Sequence, residues 1–309
     1  MRGAGGVPMT VALPRQRVKT RISDAVSGLL YLSPSIALFG IFLVYPLLRT
    51  IYLSFFRTDT QGTPLEFVGI GHYARLFTSA TFWQSVQATV GFVALTVPLT
   101  ILIALGLALL ANEKLRGIGF FRTAFSATMG MSVAASSVIW MFMYNPSIGI
   151  FNRFLEAVGA SGVQWLLDPQ YALLSVSLAT VWMNVGFTFL ILLGGLQNID
   201  RTLYESADIA GTNYWTQLRA ITIPMLSPTL FFVGIISLIN AFQTFGQIDL
   251  LTKGGPTNST NVIVYAIYKD AFINYNVGGA SAQAVLLFVT VLLLTWLQFK
   301  LVERKVHYQ

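Results

Sequence analysis

Polar and apolar positions in this chain separate into long blocks instead of alternating every second or third residue. Apolar blocks run over residues 29–48, 87–111, 120–144, 171–196, 224–250 and 282–302. Each is about 20 residues or longer, the length an α-helix needs to cross a hydrocarbon core of about 30 Å. The pattern predicts an all-α integral membrane protein with six transmembrane helices. An even number of crossings puts both termini on one side. A tail, residues 1–24, precedes a transmembrane domain over 25–309, and no stretch between blocks is long enough for a separate soluble domain. The block after the tail carries no small-residue cleavage site, so it reads as a retained helix.

Local signals refine the blocks. Pro34 and Pro46 predict a kink in the first helix, which runs on toward Phe56. Residues 57–84 mix Phe67, Tyr73, Phe77, Phe82 and Trp83 with polar side chains, a composition that suits short helices at the membrane interface or an ordinary loop. In residues 145–170, Pro146, Gly149, Gly159, Gly162 and Pro169 break any long helix.

Composition agrees with the pattern. The 309 residues are 55% hydrophobic and 10% charged, against about 25% charged in soluble domains. Mean hydropathy is +0.68. The net charge of +7 does not indicate nucleic acid, because the basic residues flank the apolar blocks and form no single basic face. Thirteen of the 19 Lys and Arg lie in the N-terminal tail, residues 112–123, residues 197–223 and the C-terminus; six lie on the opposite side. The positive-inside rule makes the larger group, and both termini, cytoplasmic. The absence of cysteine excludes disulfides, thiolate metal sites and a cysteine nucleophile.

The loop between the fourth and fifth blocks, about 198–224, is too regular for a connector. Asp200, Arg201 and Thr202 precede the helix formers Leu203 to Ala210, and Gly211 is a natural stop because it tolerates positive φ. Trp215, Leu218, Ile221 and Ile223 can cover one side of a second short helix, while Pro224 disfavours helical geometry at Ile223 and can open the next helix. The result is a projecting helix-turn-helix. Small residues at Ser206, Ala207 and Ala210 suit close approach to another protein, with Glu205 and Asp208 facing basic partners. Periodicity alone equally allows an amphipathic helix resting on lipid headgroups.

This stretch resembles the EAA loop of permease subunits of binding-protein-dependent ATP-binding-cassette importers: Glu205, Ala207, Gly211, Ile221 and Pro224 stand at that motif's spacing. Ser206, Ala210 and Ile223 depart from its commonest residues. The resemblance continues, in the carbohydrate and sn-glycerol-3-phosphate branch, through Phe67-Val68-Gly69 with Tyr73, Phe245 to Thr260, and Tyr265 to Phe272 with Gly278, Ala280, Ser281 and Ala282. It implies a multi-pass permease subunit of the bacterial cytoplasmic (inner) membrane, forming half of a translocation path for a sugar, polyol or glycerophosphate-type solute. The implied partners are a second permease, two ATPase copies and an extracytoplasmic solute-binding protein, besides membrane lipid. It further implies that Leu203, Glu205, Ala207, Asp208, Ile209, Gly211, Ile221 and Pro224 couple to the ATPase, and that Lys253, Gly254, Gly255 and Pro256 face the binding protein.

Chemistry of its own is not expected in the chain. No glycine precedes a lysine anywhere, so no phosphate-cradling G-x-x-x-x-G-K-[ST] loop exists, and ATP with its Mg belongs to the partner ATPase. His72 and His307 fall on opposite sides, which leaves no catalytic dyad and no metal or other cofactor site. Polar residues within spans are the candidates for a solute path. Asn240, Gln243 and Gln247 recur at three and four residues, which predicts one helical face, with Asp249 at its outer end; Asn184 beside Trp182 is a second candidate. Amides and aromatic rings suit a hydroxylated solute, and the same amides also serve as interhelical glue. No Lys or Arg lies between Arg122 and Arg153, Arg153 and Arg201, or Arg219 and Lys253, which favours a neutral solute over a phosphate ester. The alternative from another class is a self-contained secondary carrier or channel, for which Asp249 alone offers an ion-coupling acid.

Overall fold

The computed structural model describes residues 20–113 and 116–302. The tail's Arg2, Arg15, Arg17 and Lys19, then Lys114, Arg304, Lys305 and His307, lie outside the described residues. The chain divides into two units, Met1–Arg49 and Thr50–Gln309.

In the first unit α1 (Thr20–Phe39) starts inside the stretch assigned to the tail, and one π-helical turn, Gly40–Val44, leads into α2 (Tyr45–Leu53). The Tyr45 N–H donates to the Gly40 carbonyl, five residues back, immediately before Pro46. Widening the turn there relieves the clash between a proline ring and the preceding turn, and Pro46 has no N–H to leave unpaired. The helix continues instead of breaking, and Ser27–Leu53 is long and apolar enough to span a membrane.

The second unit opens with a hairpin that sequence did not reveal. β1 (Phe56–Thr58) pairs antiparallel with β2 (Pro64–Phe67), Phe56 opposite Phe67 and Arg57 opposite Glu66. Asp59 closes the turn by accepting from the Thr63 N–H at 2.7 Å and the Gln61 N–H at 2.9 Å. Those N–H groups, Thr63 first, hold its carboxyl below the usual range. A two-stranded hairpin is marginal alone. This one is held by α3 (Gly71–Thr78): His72, buried, donates from Nε2 to the Phe56 carbonyl at 3.0 Å, while its Nδ1 accepts from Arg75 at 3.2 Å.

Three long helices form the centre. α4 (Ala80–Asn112) is followed by α5 (Ile118–Ser126) and a 3₁₀ turn, Ala127–Gly130. Here the third block, residues 120–144, is a bent pair of helices. Met131 and Ser132 are extended, and the chain turns by 104° into α6 (Val133–Met143). Ser132 makes the break possible, because its hydroxyl accepts from the Ala135 N–H at 3.2 Å and so caps the new helix. After α7 (Ile150–Ala157), Asp168 caps α8 (Pro169–Gln197), the most buried span.

α9 (Arg201–Ile209) and α10 (Tyr214–Gln217) come next, and a π turn at Leu218–Thr222 carries the chain without interruption into α11 (Ile223–Phe242). Pro224 stands in the first turn of α11, as expected, but Ile223 before it is helical: its N–H donates back to the Leu218 carbonyl, the arrangement already seen before Pro46. The fifth block is corrected in the other direction: α11 stops at Phe242, and α12 (Gly246–Leu251) is a separate helix. α13 (Ile263–Tyr268), a π turn at Lys269–Ile273 and α14 (Val277–Val302) complete the order. Among the described residues, five helices are long and apolar enough to cross a membrane, or six with the bent pair as one span.

Ala104, Ala108 and Ala111 of α4 are fully buried beside Val181, Phe189, Leu192 and Leu196 of α8 and Leu226 of α11. Small residues spaced by about one helical turn let backbones approach closely, the packing that lipid-immersed helices favour. At Gly186 of α8 the backbone of the broken third span comes so near that a Cβ would meet Met129 N and Phe125 O at 3.1 Å. A second core, with Phe92, Trp140, Tyr144, Val176, Ile248 and Tyr265, lies toward the end that carries the hairpin.

Candidate functional site

The loop after α8 is built from its own hydrogen bonds. Asp200 caps α9 by accepting from the Thr202 N–H at 2.9 Å, which keeps its carboxyl below the usual range. Gly211 takes φ +70°, so the chain reverses after α9 without the strain a side chain would bring. Three ties fix α9 against residues 212–222. The Thr212 hydroxyl donates to the Ala207 carbonyl at 2.9 Å, Gln217 Nε2 donates to Asp208 at 2.6 Å, and the Tyr204 and Thr222 hydroxyls meet at 2.9 Å. The sequence-predicted residues divide between two tasks. Leu203, Glu205, Asp208, Ile209 and Gly211 are exposed, Ile209 to 89%, and Ala207 is half-buried. Ile221 packs on the α4/α8 core, and Pro224 is partly buried beside the π turn. Tyr204, Gln217 and Thr222, which brace the element, were not singled out from sequence; their signal was the polar side chains among the small residues of the loop.

Beside α9 opens a concavity of about 820 Å³ lined by Arg122, Arg201, Tyr204, Glu205, Asp208 and Gln217 among others. Arg122 anchors its rim, its guanidinium donating twice to the Ala111 carbonyl at the end of α4, at 2.8 and 3.0 Å.

Between α4, α8 and α11 a cleft brings together Asn184 and Asn240, two of the five predicted path residues. The hydroxyls beside them, Thr96, Thr100, Thr180, Thr188 and Ser237, were not anticipated. The signal was present in α4, where Ser85, Thr89, Thr96 and Thr100 recur at four and seven residues along one face. The open space is about 20 Å³, room for about one water. No cation is among the lining residues.

The other three candidates are not on that face, because α11 ends first. Gln243 lies past the last turn and is exposed. Gln247, on α12, is buried with Nε2 donating to Met183 Sδ at 3.3 Å, an interhelical contact to α8. Asp249 accepts from the Tyr265 hydroxyl at 3.2 Å. Burial first, then the Asp249 charge, pushes Tyr265 up to about 12.

The segment after α12 is a fixed cap. Lys253 (φ 51°), Thr257 (φ 48°) and Asn258 (φ 63°) are left-handed, and Gly255-Pro256 is cis. Lys253 is exposed and Gly254 buried under the Tyr265 ring. Thr260 donates to the Gly255 carbonyl at 2.7 Å, Asn261 to the Ser85 hydroxyl at 3.0 Å, and the Ile263 N–H to Thr89 at 2.9 Å, which bolts the cap onto α4.

These features meet in one known protein family. Residues 100–308 match the family described as binding-protein-dependent transport system inner membrane component. The chain belongs to this family. It is 36% identical over 282 residues to the sn-glycerol-3-phosphate transport system permease protein UgpA of Agrobacterium fabrum, covering 90% of this chain and 95% of that one. It is 37% identical over 282 residues to the lactose transport system permease protein LacF of Rhizobium radiobacter, covering 89% and 93%. In fold it is similar to a chain of a bacterial ABC transporter involved in import of the acidic polysaccharide alginate, with a TM-score of 0.79 at 24% identity over 94% of this chain and 99% of that one. The same transporter has been solved with an alginate pentasaccharide-bound periplasmic protein. This chain is thus a multi-pass inner-membrane permease of an ATP-driven importer, and not an enzyme: ATP hydrolysis belongs to a separate subunit. Family membership removes the self-contained carrier or channel.

Proposed function

We propose that this permease carries a hydroxylated solute of the sugar, polyol or glycerophosphate type, and that the α9 to α10 element couples its movement to the ATPase. The observation that carries the reading is the braced turn at Gly211. An element that transmits motion must be stiff within itself and exposed at its tip. The three side-chain ties, one of them to Asp208, supply stiffness, and Leu203, Glu205 and Ile209 stand exposed at the surface. The unbroken helix from Tyr214 to Phe242 extends the lever into the membrane. In this reading both termini and α9 face the cytoplasm. Two ATPase copies, which hold ATP and Mg, engage α9, a second permease completes the path, and a solute-binding protein meets the cap at Lys253, Gly254, Gly255 and Pro256.

Asn184, Asn240 and the surrounding hydroxyls form the inner wall of this half of the path, with Gln243 exposed beyond them. A wall of amides and hydroxyls without a cation favours a neutral solute. Relatives named for sn-glycerol-3-phosphate and for lactose match this chain at 36% and 37% identity, so the choice between the two solute types rests on the composition of the wall. The test uses the assembled complex in vesicles. Glu205→Lys and Gly211→Asp are expected to abolish uptake while the complex still forms, with ATP hydrolysis no longer responding to solute. Normal transport by both variants would refute the coupling role. Uptake of sn-glycerol-3-phosphate with no response to any neutral sugar would refute the neutral solute.

A further inference from the structure

The hairpin has two unlike faces. Arg57 and Glu66 oppose each other across the strands on one face, their charges 3.9 Å apart, and both are mostly exposed. On the other, Phe56 and Phe67 stack edge-on at 5.3 Å, while Leu65 is the unpaired residue of a bulge between the pairs Arg57–Glu66 and Thr58–Pro64. Leu65 and Phe67 are each 67% exposed, and Ile70 just beyond the strand 73%. Such a patch of large apolar side chains on a small element marks a surface with a partner.

We infer that this face is immersed in the headgroup and upper acyl region of the bilayer, so that the hairpin is a membrane-interface anchor. Chain geometry selects lipid as the occupant. Phe56 follows Leu53, the last residue of the apolar span Ser27–Leu53, by three residues, which is about 10 Å of chain at most. The next span begins at Ala80, so the segment leaves and re-enters the membrane at one surface. Trp83, half-exposed in the first turn of α4, donates from its indole to the Phe77 carbonyl at 2.9 Å. Aromatic side chains of this kind are enriched at the level of the headgroups. The hairpin is clamped at that level, since the Gly278 N–H at the start of α14 donates to the Thr58 hydroxyl at 3.1 Å. A Cβ at Gly278 would collide with the Phe56 carbonyl and lie 2.8 Å from His72 Nε2. The membrane placement of the flanking spans supports this anchor, independently of the coupling role and of the solute.

The chain has no cysteine, so single cysteines can be labelled directly. Phe67→Cys and Ile70→Cys, with Glu66→Cys as the opposite-face control, would carry a nitroxide on the full chain with its co-purified subunits. The vesicles would contain phosphatidylethanolamine and phosphatidylglycerol. Labels at 67 and 70 are expected to be relaxed more by oxygen, which concentrates in lipid, than by a water-soluble nickel chelate, and the label at 66 the reverse. Preferential relaxation by nickel at all three positions would overturn the proposal. So would protection of 67 and 70 that arises only when a solute-binding protein is added, which would make the face a protein docking surface.

Discussion

Asn152 offers a demanding test of how the segment between the third and fourth spans is held. Its amide is buried and makes four hydrogen bonds: Nδ2 donates to the Pro146 and Val163 carbonyls at 3.1 and 3.0 Å, and Oδ1 accepts from the Val163 N–H at 3.1 Å and the Trp165 indole at 2.8 Å. One side chain on α7 thereby ties that helix to the chain before it at Pro146 and to the chain after it at Val163 and Trp165. A net worth of roughly 0.5–1.5 kcal/mol per bond gives about 2–6 kcal/mol for Asn152→Ala. The loss falls on a local opening of the segment, not on the spans, because every partner lies within residues 146–165. The assay is amide hydrogen exchange of the reconstituted protein. Exchange over this segment is expected to rise roughly thirty-fold or more, since about 1.4 kcal/mol is a factor of ten, with α4 and α8 unchanged. Asn152→Asp sharpens the test. It keeps both acceptor bonds but sets carboxylate oxygen against the Pro146 and Val163 carbonyls, so the folded state favours the protonated acid and its pKa rises. An acid with a raised folded pKa weakens the fold fully above that pKa and less as pH falls below it. The Asp defect should ease on acidification and the Ala defect should not. Unchanged exchange in the Ala variant would refute the hub.

Close packing and capping each supply one further expected outcome. Gly186→Ala drives a methyl into the Thr128 hydroxyl, which accepts from the Gly186 N–H at 3.2 Å, and against the backbone of Phe125 and Met129, and is expected to cost roughly 1–3 kcal/mol, read as a lower melting temperature in detergent; equal melting would mean that Thr128 and the broken span yield freely there. Asp200 has a depressed pKa from its cap bond to Thr202, so its contribution is present above the unfolded pKa and lost as pH falls through the folded one. A nitroxide at Ser206→Cys should therefore gain mobility only below the ordinary carboxylate range, and Asp200→Asn, which keeps an acceptor, should remove that dependence.

What sequence revealed was what lipid demands. Apolar blocks locate the spans because hydrocarbon penalises every polar side chain along about 20 residues. Asp200 and Gly211 marked both ends of α9, since capping and positive φ need particular residues. The breaks were illegible for the complementary reason. At Met131–Ser132 and after Phe242 the chain stays apolar or weakly polar while its backbone turns, and one serine hydroxyl suffices at the first. Pro46 and Pro224 were read as a kink and as the start of a helix, and the π turns before them, which keep their helices running, left no mark in the sequence. The hairpin was hidden because three- and four-residue strands are too short to show alternation.

The cleft shows why polar faces inside a bundle are harder to read than spans. A threonine in a membrane helix costs little, because its hydroxyl can donate to its own backbone, as Thr96 does to the Phe92 carbonyl at 2.7 Å and Thr180 to Val176 at 2.9 Å. Such a residue leaves the hydropathy of its span intact and so passes unnoticed. Yet back-bonding uses only the proton, and the oxygen still accepts. Back-bonded threonines such as Thr96 and Thr180 therefore form an acceptor surface that lipid tolerates, next to the amides of Asn184 and Asn240, which can also donate. Gln247, spent on Met183, shows the other fate of an intramembrane amide. Spacing along the chain could not separate the two, because the helix that would have aligned Asn240 with Gln247 ends between them.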